Sequence, residues 1–275
     1  MHTLASSVTL SHTQLSHFSE QGWLHLPHRL DASLLARLRQ AVDNLCTTAE
    51  PKTHVAEVTG SDGKLYIICI NSIVPKAEPV FAEILASPWL RGIAESICGP
   101  DYFLVQDFAV IKTLGDGAPV NWHQDVVSAQ PGKAIMVGLY LDASDDDNGA
   151  LRIVPQSHRI QASICELEKM PHQSLAMQPG DVLVHDLMLA HSSGVLSTQQ
   201  KRRVVYFEFM SAAHAVNERI YTPEFVAQRS RVVPAALKAA QGDAAANSEL
   251  QEVYAKELKV KAAAYCFEAF HGIMK

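Results

Sequence analysis

The sequence predicts a mainly β domain of the antiparallel sandwich or barrel class with flanking helices, and three observations predict it. Between about residues 103 and 210, short β-rich runs follow one another with turn residues between them and no helical period. Before residue 100 and after residue 222 the apolar spacing is helical instead. The chain has 275 residues, 48% of them hydrophobic, enough to bury one large core, so a single domain over 1–275 is expected.

Taken in order, "SHTQLSHFSEQG" has a Ser or Thr start and a Gly stop and reads as a helix, and "GWLHLPHRL" alternates like a strand. "DASLLARLRQAVDNLCTTA" then places Leu34, Leu35, Leu38, Val42 and Leu45 at helical spacing behind Asp31 as N-cap. "KLYIICINSIV" is an extended piece, and "EPVFAEILASPWLRGIAESICG" returns to helix. The β-rich runs follow: "YFLVQDFAVIKTL", "AIMVGLYLDAS", "GALRIVP", "SLAMQ", "DVLVHDLMLAHSSG" and "RRVVYFEFMSA". The tail from 222 to 275 is Ala-rich and helical in pattern, with "AAQGDAAANSE" open to a loop reading. No internal repeat and no domain linker interrupts the chain.

The formal charge is −6, from 29 acidic and 23 basic residues without a basic block, which argues against nucleic acid or an anionic membrane as partner. No apolar run approaches the roughly 20 residues a bilayer span needs, and the N-terminus lacks a charged-then-apolar signal pattern. A soluble, cytoplasmic protein is expected. The five cysteines are scattered and never form CxxC, so they read as reduced, small apolar residues.

Chemistry first shows at "NWHQDVV", where His123 and Asp125 stand two apart in a strand-like stretch and so share a face. Such a pair can bind a divalent metal, share a proton or cap a strand end, and HxD alone is frequent by chance. A later run adds histidines and arginines: His185 lies inside "DVLVHDL", His191 follows it, and Arg202 opens the next strand. Two histidines and one carboxylate on one side of iron(II) leave coordination positions open for a keto acid and dioxygen, while an arginine can pair with the acid's far carboxylate.

"WHQD", "DNGALRIVPQSHR", "QPGDVLVHD" with a following "HSS", and an arginine eleven residues after His191 together resemble the phytanoyl-CoA dioxygenase (PhyH) family, from about residue 10 to 210 in the family's order. The resemblance implies a double-stranded β-helix, the jelly-roll of cupin-like proteins, and an oxygenase that uses Fe(II), 2-oxoglutarate and O2. It implies that His123, Asp125 and His191 ligate the iron and that Arg202 binds 2-oxoglutarate. Gln106, seventeen residues before His123, is similar in spacing to a cosubstrate-contacting glutamine of ectoine-hydroxylase-like members. Lys112, on the same strand face, is a candidate charge near the cavity, with a solvated strand-end lysine as the alternative. His185 reads as a packing residue or one that supports the ligands from behind, and His158 as a turn residue. Arg203 falls by alternation on the outer, solvated face.

Related halogenases replace the aspartate ligand by a small residue, so Asp125 disfavours chlorination. The reaction implied is hydroxylation of a small organic molecule, such as a natural-product intermediate, with succinate and CO2 as coproducts. Desaturation, epimerisation, cyclisation or endoperoxide formation use the same cofactors. A cupin-like metal isomerase, a dioxygenase without a keto acid, and a silent binding protein are the competing classes. Candidate substrate-facing positions are Asn71, Asn121, Met136, Val137, Tyr140, Phe207 and Phe209, whose mixture suggests a neutral or weakly polar substrate.

Overall fold

The structure, a computed structural model, describes residues 9–48, 54–76, 78–128, 130–197, 201–255 and 264–265. The N-terminal part forms helix α1 (His12–Gln21), strand β1 (Trp23–Leu26) and helix α2 (Ala32–Thr48), as the pattern predicts. Ser11 and Gln14 cap α1 reciprocally, and Gly22 ends it at φ 82°, a left-handed turn that glycine adopts without strain. Strands β2 (Val55–Thr59) and β3 (Leu65–Asn71) pair next. The following apolar stretch divides into α3 (Pro79–Ala86) and α4 (Pro88–Cys98). Pro88 causes the break, because the residue before a proline avoids the helical region, and Ser87 accordingly adopts φ −63°, ψ 137°.

The β-rich region holds β4 (Tyr102–Lys112), β5 (Val120–Gln124), β6 (Ala134–Tyr140), β7 (Leu151–Ile153), a short helix α5 (Ile164–Leu167), β8 (Gln173–Leu175), β9 (Val182–Asp186), β10 (His191–Ser193) and β11 (Arg202–Ser211). The tail forms α6 (Ala212–Asn217), α7 (Pro223–Arg229), α8 (Val232–Ala240), α9 (Ala244–Ala255) and β12 (Ala264–Tyr265). "AAQGDAAANSE" is therefore a short turn followed by helix, since Asp243 accepts the Ala245 N–H and starts α9.

Two antiparallel sheets face one another. The larger has the order β1-β9-β6-β11-β4-β3-β2 and the smaller β12-β5-β10-β7-β8. Non-sequential neighbours in both sheets give the double-stranded β-helix expected of the family. Strand β11 sits at the centre of the larger sheet and is buried on both faces. Its odd residues Val205, Phe207 and Phe209 pack outward against the helices, while Val204, Tyr206 and Met210 point into the space between the sheets. Val137, Phe207 and Phe209 thus face the helices rather than a substrate.

Two further expectations change. Arg203 is not solvated: its guanidinium forms a fork with Asp142 at 2.8 and 2.9 Å and reaches Asp43 of α2 at 2.7 Å, fastening that helix to β11. Cys46, Cys69 and Cys98 are free thiols, but Cys165 is disulfide-bonded to a partner outside the described residues. Among the described residues no helix is long and apolar enough to cross a membrane.

Candidate active site

The two histidines meet because β5 and β10 pair antiparallel with His191 opposite His123. Their rings lie 4.1 Å apart, centroid to centroid. Asp125 stands just past the end of β5, not within it, and curls back so that its carboxylate is 3.4 Å from His123 Nε2 and 3.8 Å from His191 Nε2. One donor atom from each of the three residues falls within 4.8 Å of the others, the only such metal-competent trio among the described residues.

Each imidazole is set by a main-chain carbonyl two residues earlier: Nδ1 of His123 donates to Asn121 O and Nδ1 of His191 to Leu189 O, both at 2.8 Å. A carbonyl only accepts, so the proton resides on Nδ1 and the Nε2 lone pair is turned toward Asp125. Burial, reinforced by the charge of His123, pushes the His191 imidazole down to about 3 and keeps it neutral. For Asp125, burial alone would raise the carboxyl, but His191, His123 and His185 outweigh it and hold the group well below the usual carboxylate range. The result is a neutral His191 imidazole beside an anionic carboxylate whose Oδ2 is buried without a hydrogen-bond partner, while Asp125, against the opposing effect of burial, holds the His123 imidazole above its ordinary value. That donor set suits iron(II), and the orphaned oxygen is what a bound cation would satisfy.

A cavity of about 110 Å³ is lined by this trio together with Phe108, Val110, Tyr206 and Arg202. It is far smaller than the ~300–1,000 Å³ of sites for drug-sized ligands and matches a small acid. Arg202 is buried, lies 5.6 Å from the Tyr140 ring centroid, and keeps its Nε without a hydrogen-bond partner. Lys112 is its cross-strand neighbour and is buried too, with Nζ donating to Ala118 O and Gly194 O at 2.8 Å. Burial, then the nearby Arg202 charge, brings Lys112 down to about 8. The solvated-lysine alternative therefore fails.

Gln106 lies on the same inner face as Lys112 but toward the opposite end, where its amide donates to Glu208. His158 binds Ser19 O from its turn, remote from the trio. His185, expected to pack or to support the ligands, lines the cavity with Nε2 3.6 Å from Asp125 Oδ2 and its ring 4.8 Å from that of His191. Glu208 escaped notice altogether, since an isolated "FEF" carries no signal until the register places it. Alternation along "RRVVYFEF" from Arg202 was the one available hint, because it puts Arg202, Tyr206 and Glu208 on one face.

Comparison with known proteins agrees with this architecture. The chain is 27% identical over 146 residues to L-proline trans-4-hydroxylase of Streptomyces griseoviridis, a match covering 51% of this chain and about half, 52%, of that protein. It is 23% identical over 270 residues to ectoine dioxygenase of Sphingopyxis alaskensis, covering 85% of this chain and 87% of the relative. Among solved structures, EctD from S. alaskensis with 2-oxoglutarate and 5-hydroxyectoine superposes with a TM-score of 0.65 at 22% identity, over 76% of this chain and 79% of that one. The epimerase SnoN in complex with Fe3+, α-ketoglutarate and nogalamycin RO gives 0.63 at 19%, over 73% and 83%. Residues 18–204 match the family model described as Phytanoyl-CoA dioxygenase (PhyH), and with two-thirds of its length inside that match the chain belongs to this family of iron- and 2-oxoglutarate-dependent oxygenases.

Proposed function

We propose that the chain is an Fe(II)- and 2-oxoglutarate-dependent dioxygenase that hydroxylates a small organic molecule, releasing succinate and CO2. One observation carries the reading: the His123, Asp125 and His191 trio and the buried Arg202 line the same small cavity. His123, Asp125 and His191 would hold iron, which when bound supplies the redox chemistry that couples keto-acid decarboxylation to oxidation of a C–H bond. Arg202 pairs with the far carboxylate of 2-oxoglutarate through charge-assisted hydrogen bonds, and Lys112 adds positive charge at that end. Phe108, Val110 and Tyr206 give that cavity apolar lining beside the charged groups.

Arg202 is also what separates this reading from a metal isomerase or a dioxygenase without a keto acid, because such sites have no distal carboxylate to neutralise. L-proline, methylphosphonate and ectoine appear in the names of relatives, which supports a small polar substrate here. The reading takes residues 1–275 as one catalytic domain and includes a cytoplasmic location.

Anaerobic titration tests it. Addition of iron(II) and 2-oxoglutarate together is expected to produce a visible charge-transfer absorption that neither gives alone. Under air, turnover of 2-oxoglutarate to succinate should follow, and a substrate screen by mass spectrometry should find a gain of one oxygen. Absence of the joint absorption removes the reading.

A further inference from the structure

The inner face of the larger sheet carries a transverse row of four residues. His185 of β9 is the register partner of Met136 of β6, Met136 of Glu208 in β11, and Glu208 of Gln106 in β4. Direct cross-strand partners have Cβ atoms ~5 Å apart, so these side chains form one continuous strip. Its first two members line the cavity at the metal end, beside Asp125. The strip therefore continues from the trio to the amide and carboxyl of Gln106 and Glu208.

Glu208 is only 2% exposed. Its carboxyl accepts one hydrogen bond, from the neutral amide of Gln106, and among the described residues no cationic side chain forms an ion pair with it. A buried carboxylate left in this way costs several kcal/mol unless it is neutralised or paired. Burial, with the nearby charge of Asp125, accordingly pushes Glu208 up to about 8. A buried carboxyl whose one hydrogen-bond partner is a neutral amide is the group that an organic cation would satisfy, through a charge-assisted pair.

We propose that Glu208, oriented by Gln106, is the specificity determinant that selects a substrate bearing a positively charged amine or quaternary ammonium group. The inference rests on the oxygenase reading above and narrows its substrate class to small organic cations and zwitterions. It departs from the neutral substrate suggested by the sequence, which did not count Glu208.

The test uses the full chain loaded anaerobically with iron(II) and 2-oxoglutarate and titrated calorimetrically with matched pairs of probes. The pairs are pyrrolidine against cyclopentanol, and choline against its uncharged carbon isostere dimethylbutanol. Each cation is expected to bind about ten-fold or more tightly than its neutral partner, the equivalent of one charge-assisted hydrogen bond. In Glu208→Gln that preference should vanish while the affinity for 2-oxoglutarate stays unchanged. Should Glu208→Gln not fold, Glu208→Asp, which retracts the carboxylate by one methylene, should weaken the preference instead. Equal binding within each pair, no binding of either cation, or a preference retained in the variant overturns the assignment. Failure of the enzyme to take up iron(II) and 2-oxoglutarate is a different result and counts against the oxygenase reading itself.

Discussion

Asp125 concentrates the negative charge around which three imidazoles gather, so its removal separates the chemistry from the fold. In Asp125→Ala, succinate formation should be abolished and bound iron should fall, whereas the melting temperature should change little, because the lost side chain holds no main-chain hydrogen bond. Turnover retained by the variant, measured by succinate release, would move the carboxylate ligand elsewhere. Arg202→Lys should raise the 2-oxoglutarate requirement by about ten-fold with a smaller effect on kcat, since an ammonium cannot reproduce the guanidinium fork. Steady-state kinetics in the cosubstrate checks this, and an unchanged requirement would transfer the role to Lys112. At this scale the HxD pair was visible by its spacing, while His191 and the arginine eleven residues on came with the family resemblance. His185 was weighed only as a packing or ligand-supporting residue, and Glu208 was not counted. Their roles arise from neighbours on other strands, and a single sequence does not show which residues become neighbours.

Elements were read well where periodicity was long. The opening helix, strand and helix and the central strands β4, β6, β9 and β11 fall where the pattern put them, whereas the helix over 78–99 proved to be two. Pro88 was visible but its force was underweighted. Strand β6 shows a local exception to propensity. Gly138 lies in the middle of a buried strand because a Cβ there would sit 2.7 Å from the Tyr206 ring. Glycine thus lets the ring of Tyr206 lie across β6 and form a wall of the cavity. Gly138→Ala should destabilise the protein by about 1–3 kcal/mol through overpacking, and should also weaken 2-oxoglutarate binding by displacing that wall. Denaturant unfolding together with cosubstrate titration checks both, and a variant of unchanged stability and affinity would show that the ring has room to yield.

For the molecule as a whole, Glu208 links stability to pH. Folded, the carboxyl keeps its proton up to about 8, whereas an unfolded glutamic acid releases it near the ordinary value of 4.5. Between those limits the unfolded chain binds fewer protons, so the contribution of this group to stability declines as pH rises. The melting temperature of the wild type relative to Glu208→Gln should therefore fall steadily from about pH 5 to pH 8, as scanning calorimetry would show. A constant difference across that range would mean that Glu208 titrates normally. The sheet order, by contrast, was not derivable from spacing. It came from the family resemblance, because strand neighbours in a double-stranded β-helix are distant in the chain.

Both ligating histidines belong to the smaller sheet, while His185, Met136, Glu208, Gln106 and Arg202 all belong to the larger. The ligating histidines and the proposed selectivity residue Glu208 therefore stand on separate walls. Replacements along the strip of the larger wall can retune which compounds are accepted without disturbing the ion, so directed evolution toward new substrates should begin at Met136 and Glu208 and leave β5 and β10 untouched.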